Sequence, residues 1–177
     1  MTRLSRIAAG AAVALALTGA AVAAPASGAG TTRTVVADFS EPYAFTVDCA
    51  EFGDYAFDIA VQGEQQVRIT TVTSADGTLL RTVTHSSFSE TDTNSISGAS
   101  LPLAGTMNDI IDYEAGTRTV RGDIARGTQP GQGTYFKESG QIVFDGGVGN
   151  VVFAAGRHDA VAFGGINPSL CAALAEA

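Results

Sequence analysis

From Tyr55 onward the chain alternates. In Tyr55-Ala-Phe57-Asp-Ile59-Ala-Val61-Gln the bulky apolar side chains fall at every second position, the period of a strand with one face buried and the other in water. Gly63-Glu64 follows and Val67-Arg-Ile69-Thr resumes the alternation, so a hairpin is expected at Gly63-Glu64. Asp76-Gly77 is the strongest turn signal, because Asp-Gly readily takes the positive φ angles of a tight hairpin. It introduces a long strand from Thr78 to Phe88. Further strand signals cover Thr93 to Ser97, Leu103 to Tyr113, Thr117 to Arg126, Gln141 to Phe144, Asn150 to Ala155 and Ala160 to Phe163. Earlier strands are expected over Phe45 to Cys49 and Arg33 to Asp38. Glu114-Ala-Gly116 and Asp145-Gly146-Gly147 read as turns, and Thr128 to Gly133 as a longer loop. Near the end, Asn167-Pro168-Ser169 puts a capping side chain before a proline, so Ser169 to Glu176 is expected to be a short helix. Many short antiparallel strands joined by turns predict an all-β fold, an antiparallel β-barrel of about eight strands with that helix at its C-terminus.

The first residues change the picture of where this domain resides. Arg3 and Arg6 precede an apolar run from Ile7 to Ala24, and Ala24-Pro25-Ala26 supplies the small-x-small pattern of a signal-peptidase site. Residues 1–26 are expected to be a cleaved signal peptide, 27–42 a flexible leader with a first strand, and 43–177 one β-barrel domain. Gly10, Thr18 and Gly19 weaken the run as a membrane anchor. The expected product is secreted, with no membrane contact after cleavage. Removing Arg3 and Arg6 takes the formal charge from −8 to −10. Such an acidic surface repels nucleic acid and anionic lipid. The composition leaves the oligomeric state open.

Two cysteines remain, Cys49 and Cys171. An even count in an exported chain points to a disulfide, the alternative being two free thiols. Paired, they close nearly the whole domain, and no Cys-x-x-Cys motif or flanking histidine suggests redox chemistry.

Early Cys49, the Asp76-Gly77 hairpin, the Pro130-Gly131-Gln-Gly133 loop and the ending Leu170-Cys171-Ala-Ala-Leu174 together resemble a family of small secreted proteins of actinomycete-type bacteria. Some members have a barrel similar to that of allene oxide cyclase, related in shape to dirigent and lipocalin-like barrels. The resemblance covers Phe45 to Leu174 and implies the barrel. It carries over no catalytic residue.

Few side chains offer chemistry. His85 and His158 lie in no zinc-binding spacing, and no nucleophile elbow or phosphate loop is present, so no metal site and no cofactor are expected. Glu90-Thr-Asp92-Thr-Asn94 places three oxygen ligands at alternate positions, as calcium requires, but lacks the glycine and distal glutamate of an EF-hand and reads as a solvated strand face. His158-Asp159 could act as an acid–base pair only in a turn, and exposed turn residues are the plainer expectation. Leu79, Arg81, Val83 and His85 share one strand face and Leu80, Thr82 and Thr84 the other. An unpaired buried arginine is costly, so His85 is expected in solvent.

The barrel interior is the remaining site. Phe57, Ile59, Val61, Val67, Ile69, Ile111, Ile142, Phe144, Val151 and Phe153 are its inward candidates, bulky walls beside strands carrying Thr, Ser, Ala or Gly. Three functions follow from what fills it. A wide apolar cavity means a carrier of a small apolar ligand, convergent titratable groups an isomerase of the allene oxide cyclase type, and a packed core a structural or interaction protein.

Overall fold

The computed structural model describes residues 30–129, 131, 133–146, 150–159 and 166–176. The expected signal peptide and the strand expected over Ala160 to Phe163 lie outside them. Seven strands follow in order: β1 (Thr32–Asp48), β2 (Asp58–Thr73), β3 (Leu79–Asn94), β4 (Ser100–Asp112), β5 (Thr117–Gln129), β6 (Gly133–Asp145) and β7 (Asn150–His158). A 3-10 turn at Cys49–Glu51 follows β1, and helix α1 spans Ile166–Glu176. Each strand pairs antiparallel with the next, in one sheet ordered β1 to β7.

The sheet is not a closed barrel. In a seven-strand antiparallel meander the first and last strands run in the same direction, so β1 and β7 cannot close it with an antiparallel ladder. Three expected breaks are also absent. β1 runs without interruption across the boundary expected between residues 42 and 43, β2 continues straight through Gly63-Glu64, and β3 extends to Asn94 before turning at 95–97. The Asp76-Gly77 and Glu114-to-Gly116 turns stand where expected, with Gly77 and Gly116 at φ 87° and 65°.

Strands of 13 to 17 residues make up six of the seven, far longer than the usual ~5–6, so the sheet must bend. Gly122, Gly140 and Gly156 are register partners across β5, β6 and β7, at φ 138°, 120° and 130°. A Cβ on any of them would stand 2.0–2.3 Å from a neighbouring strand's carbonyl oxygen. A line of glycines thus lets three backbones approach and fold over.

Alternation gives the sheet an inner and an outer face. At one end the inner face carries a closed core, in which Val47, Ile59, Val61, Leu101, Leu103, Ala125 and Phe136 pack against Leu170, Cys171 and Leu174 of α1. Asp48 caps the 3-10 turn by accepting from Ala50 N at 2.9 Å, which presents Cys49 to the helix. Cys49 and Cys171 form a disulfide, with Cα atoms 5.7 Å apart. Asn94 Nδ2 donates to the Leu174 carbonyl at 3.2 Å, while Asn94 Oδ1 accepts from Ile96 N and Ser97 N. One side chain thereby closes the β3–β4 turn and holds the helix.

Candidate functional site

Beside this core lies a band of acids and phenols. Register aligns Tyr43, Gly63, Glu90 and Leu103 across β1 to β4, with Phe45, Val61, Asp92 and Leu101 as the next inner row toward the helix. Tyr43 and Glu90 are two strands apart, yet the Tyr43 hydroxyl donates to Glu90 Oε2. Gly63 makes this possible. A Cβ there would lie 2.7 Å from Glu90 Cβ and 2.8 Å from the Tyr43 ring, so the phenol crosses β2 only because position 63 has no side chain. Gly127 does the same for Tyr135, whose ring would be 2.1 Å from a Cβ there and whose hydroxyl donates to Pro102 O at 3.3 Å.

Burial sets the protonation of these groups. Asp92 is fully buried and neither carboxylate oxygen has a hydrogen-bond partner among the described residues. Desolvation first, and the neighbouring Glu90 charge second, push its pKa from 3.8 up to about 7. Glu90 is also raised by burial, against the opposing hydrogen bond from Tyr43. The Tyr43 phenol is raised by burial, then by its bond to Glu90. Tyr135 is raised by burial, then by the charges of Asp92 and Glu90. Near neutrality the band therefore holds two protonated phenols and a carboxyl close to half-ionisation. It can donate and accept protons, but Asp92 has no exposed surface.

The ten expected interior residues divide. Ile59, Val61 and Ile142 are buried. Phe57 and the inner-face residues Val67, Ile69 and Phe144 are half-buried, Phe57 packing on Tyr55 beside the helix core. Ile111 and Val151 are exposed at 38% and 44%. Phe153 pairs with Val143 on the outer face and is 51% exposed. Phe153 therefore does not share the inner face with the others. A depression of about 350 Å³ opens mainly between outer-face residues, among them Ser40, Gln66, Ser87, Thr106, Asp123 and Arg126.

The remaining candidates also have places. His85 is exposed, beside Asn108 at 3.2 Å, as expected. The Glu90–Asp92–Asn94 series does share one face, but it is the inner face, with Asp92 and Asn94 buried. That corrects the expectation of a solvated one: the parity that turns Leu80, Thr82 and Thr84 to the inner face carries on to Asn94. Among the described residues no three His, Cys, Asp or Glu side chains are grouped to hold a metal ion. His158 is not an exposed turn residue. It ends β7 with its side chain 10% exposed and pairs through Nδ1 with Glu138, its register partner. Asp159 instead accepts from Lys137 N and Arg157.

No family model, curated protein or solved structure matches this chain. Among the described residues no helix is long and apolar enough to cross a membrane.

Proposed function

We propose that this is an exported, disulfide-stapled, non-catalytic interaction protein that takes a small apolar or amphipathic molecule on the open half of its inner face. The observation carrying the proposal is the division of that face. At the helix end it is closed by the core around α1, with only the edge-strand Phe45 left 52% exposed in its row with Val61, Asp92 and Leu101. Beyond Phe88 the same face leaves Phe39 and Ile111 each 38% exposed, with Val67 and Ile69 half-buried on β2, while Met107 and Phe144 pack on a second small core of Val120, Ile124 and Ile142. Partly covered apolar side chains interspersed with polar groups are the usual form of a small-molecule site. The Cys49–Cys171 bond supports an oxidising compartment, in keeping with the expected signal peptide. The test is titration of the mature protein with a neutral environment-sensitive apolar dye, Nile red. Saturable binding near one probe per chain is expected, weakened by Ser86→Trp, which fills the inner row between Val67 and Met107. Absence of binding at tens of micromolar would leave only the structural role.

The Tyr43–Glu90–Asp92–Tyr135 band favours a second reading, an isomerase similar to allene oxide cyclase, which needs an acid or base inside the sheet. Burial of Asp92 under the helix core weighs against it, since a substrate must reach the acid.

A further inference from the structure

We propose that the ligand of the inner face is a cationic amphiphile, an alkyl chain bearing a protonated amine or quaternary ammonium, and that Glu90, supported by Glu41 and Asp92, receives its head. This rests on the ligand-binding reading above and adds the charge of the ligand.

Charge is divided unequally between the two faces. By register, Arg118 is the single lysine or arginine among the described residues that belongs to the inner face, and it is bound to Asp109 at 2.6–3.0 Å. The inner-face His158 is likewise paired, with Glu138. Arg68, Arg81, Arg126 and Arg157 make their ion pairs on the outer face or beyond the end of β7. Among the described residues three inner-face carboxylates are left with no cation: Glu41, Glu90 and Asp92. Glu41 has a neutral donor, Gln65 Nε2 at 2.9 Å, and Glu90 has the Tyr43 hydroxyl. Asp92 has no donor among the described residues, although it is fully buried. The three occupy successive inner rows of β1 to β3.

An uncompensated buried carboxylate is costly, and a cation brought beside it recovers part of that cost. An anionic head entering this band meets three acids, and a neutral head leaves their charge uncompensated. The apolar positions start at the same place. Phe39, Val67 and Met107, with Ser86 between the last two, form an inner row just past Phe88 and Gln65; Ile69 stands in the next row with Thr84 and Asp109, and Ile111 in the one after with Thr82. From Glu90 to Thr84 the strand covers roughly 20 Å at about 3.3 Å per residue, room for a long alkyl chain with its head at the acids. The negative charge of the whole chain, −8, draws the same class of ligand toward the surface.

The experiment is calorimetric titration of the mature protein at pH 8 with dodecyltrimethylammonium, dodecylamine, dodecyl maltoside and dodecanoate, each below its micelle concentration. The cationic probes are expected to bind about tenfold or more tighter than the maltoside, the difference a charged hydrogen-bonding or ionic contact typically makes. Glu90→Gln and Glu41→Gln should each reduce that preference several-fold while leaving maltoside binding unchanged. Glu64→Gln, on the outer face, should change neither. Glu41 is exposed on the edge strand, so its variant tests the idea even if Glu90→Gln unfolds. Equal affinity for cationic and neutral probes, or an equal loss in Glu64→Gln, would overturn the cationic preference while leaving the ligand site standing. Failure of all four probes to bind would overturn both.

Discussion

Replacing Asp92 by Asn should make the protein more stable at pH 8 and less dependent on pH. Asp92 is fully buried, with a pKa raised from 3.8 to about 7. Between those values the folded protein keeps a proton that the unfolded chain has released. Stability from this group is therefore complete below about pH 4 and is lost as pH rises through 7. At about 1.4 kcal/mol per unit, a shift of roughly three units removes on the order of 4 kcal/mol by pH 8. The amide is close in size and never ionises. Its two N–H donors lack partners in this core, which costs about 1–3 kcal/mol at any pH. The variant should then be the weaker protein at pH 4 and the stronger at pH 8, the two curves crossing between. Glu90 shifts in the same direction, and removing the neighbouring Asp92 charge also eases its ionisation, which adds to the gain at pH 8. Urea unfolding with the disulfide intact, at pH 4, 5, 6, 7 and 8, measures this directly. Parallel stability curves for the two proteins across that range would refute the burial of an ionisable Asp92.

Three further outcomes follow. Serine at Cys49 and Cys171 together should cost roughly 2–5 kcal/mol in urea unfolding, because the bond closes a sequence separation of 122 residues and ties down Leu170 and Leu174; the native protein should weigh two hydrogens less than its reduced form. Gly140→Ala should destabilise by about 1–3 kcal/mol or more, since its Cβ would meet Ala155 O at 2.0 Å, whereas Gly77→Ala, with open space around it, should show only the smaller backbone cost in the same assay. Mass spectrometry of the exported protein should find an N-terminus near Ser27, and intact precursor in membranes would contradict export.

Local chemistry was legible where a residue type had one use. Asp76-Gly77 made its hairpin, the two cysteines paired, and Asn167-Pro168 marked a helix, though α1 begins at Ile166 rather than Ser169. Gly63 had two uses and misled. Beside Glu64 it read as a turn, but its role is to leave room for the Tyr43 ring above β2, a partner 20 residues away that no local pattern reveals. Glu90 and Asp92 misled for a related reason. Acidic residues at alternate positions ordinarily mark solvent, and only the unbroken parity of β3 from Leu80 to Asn94 turns them inward. Tyr43 and Tyr135 carried no signal of their own. The closed barrel was inferred from strand spacing, which speaks for an antiparallel sheet but not for whether its edges meet.

The most direct test of the central claim is methyl-resolved NMR of the mature protein during titration with dodecyltrimethylammonium. The account predicts saturable shifts of the Val67, Ile69 and Ile111 methyls on the open inner face, with Ile59 and Val61 in the packed core and Val83 and Val143 on the outer face unmoved. Shifts confined to Val83 and Val143, or no shifts anywhere, would contradict it.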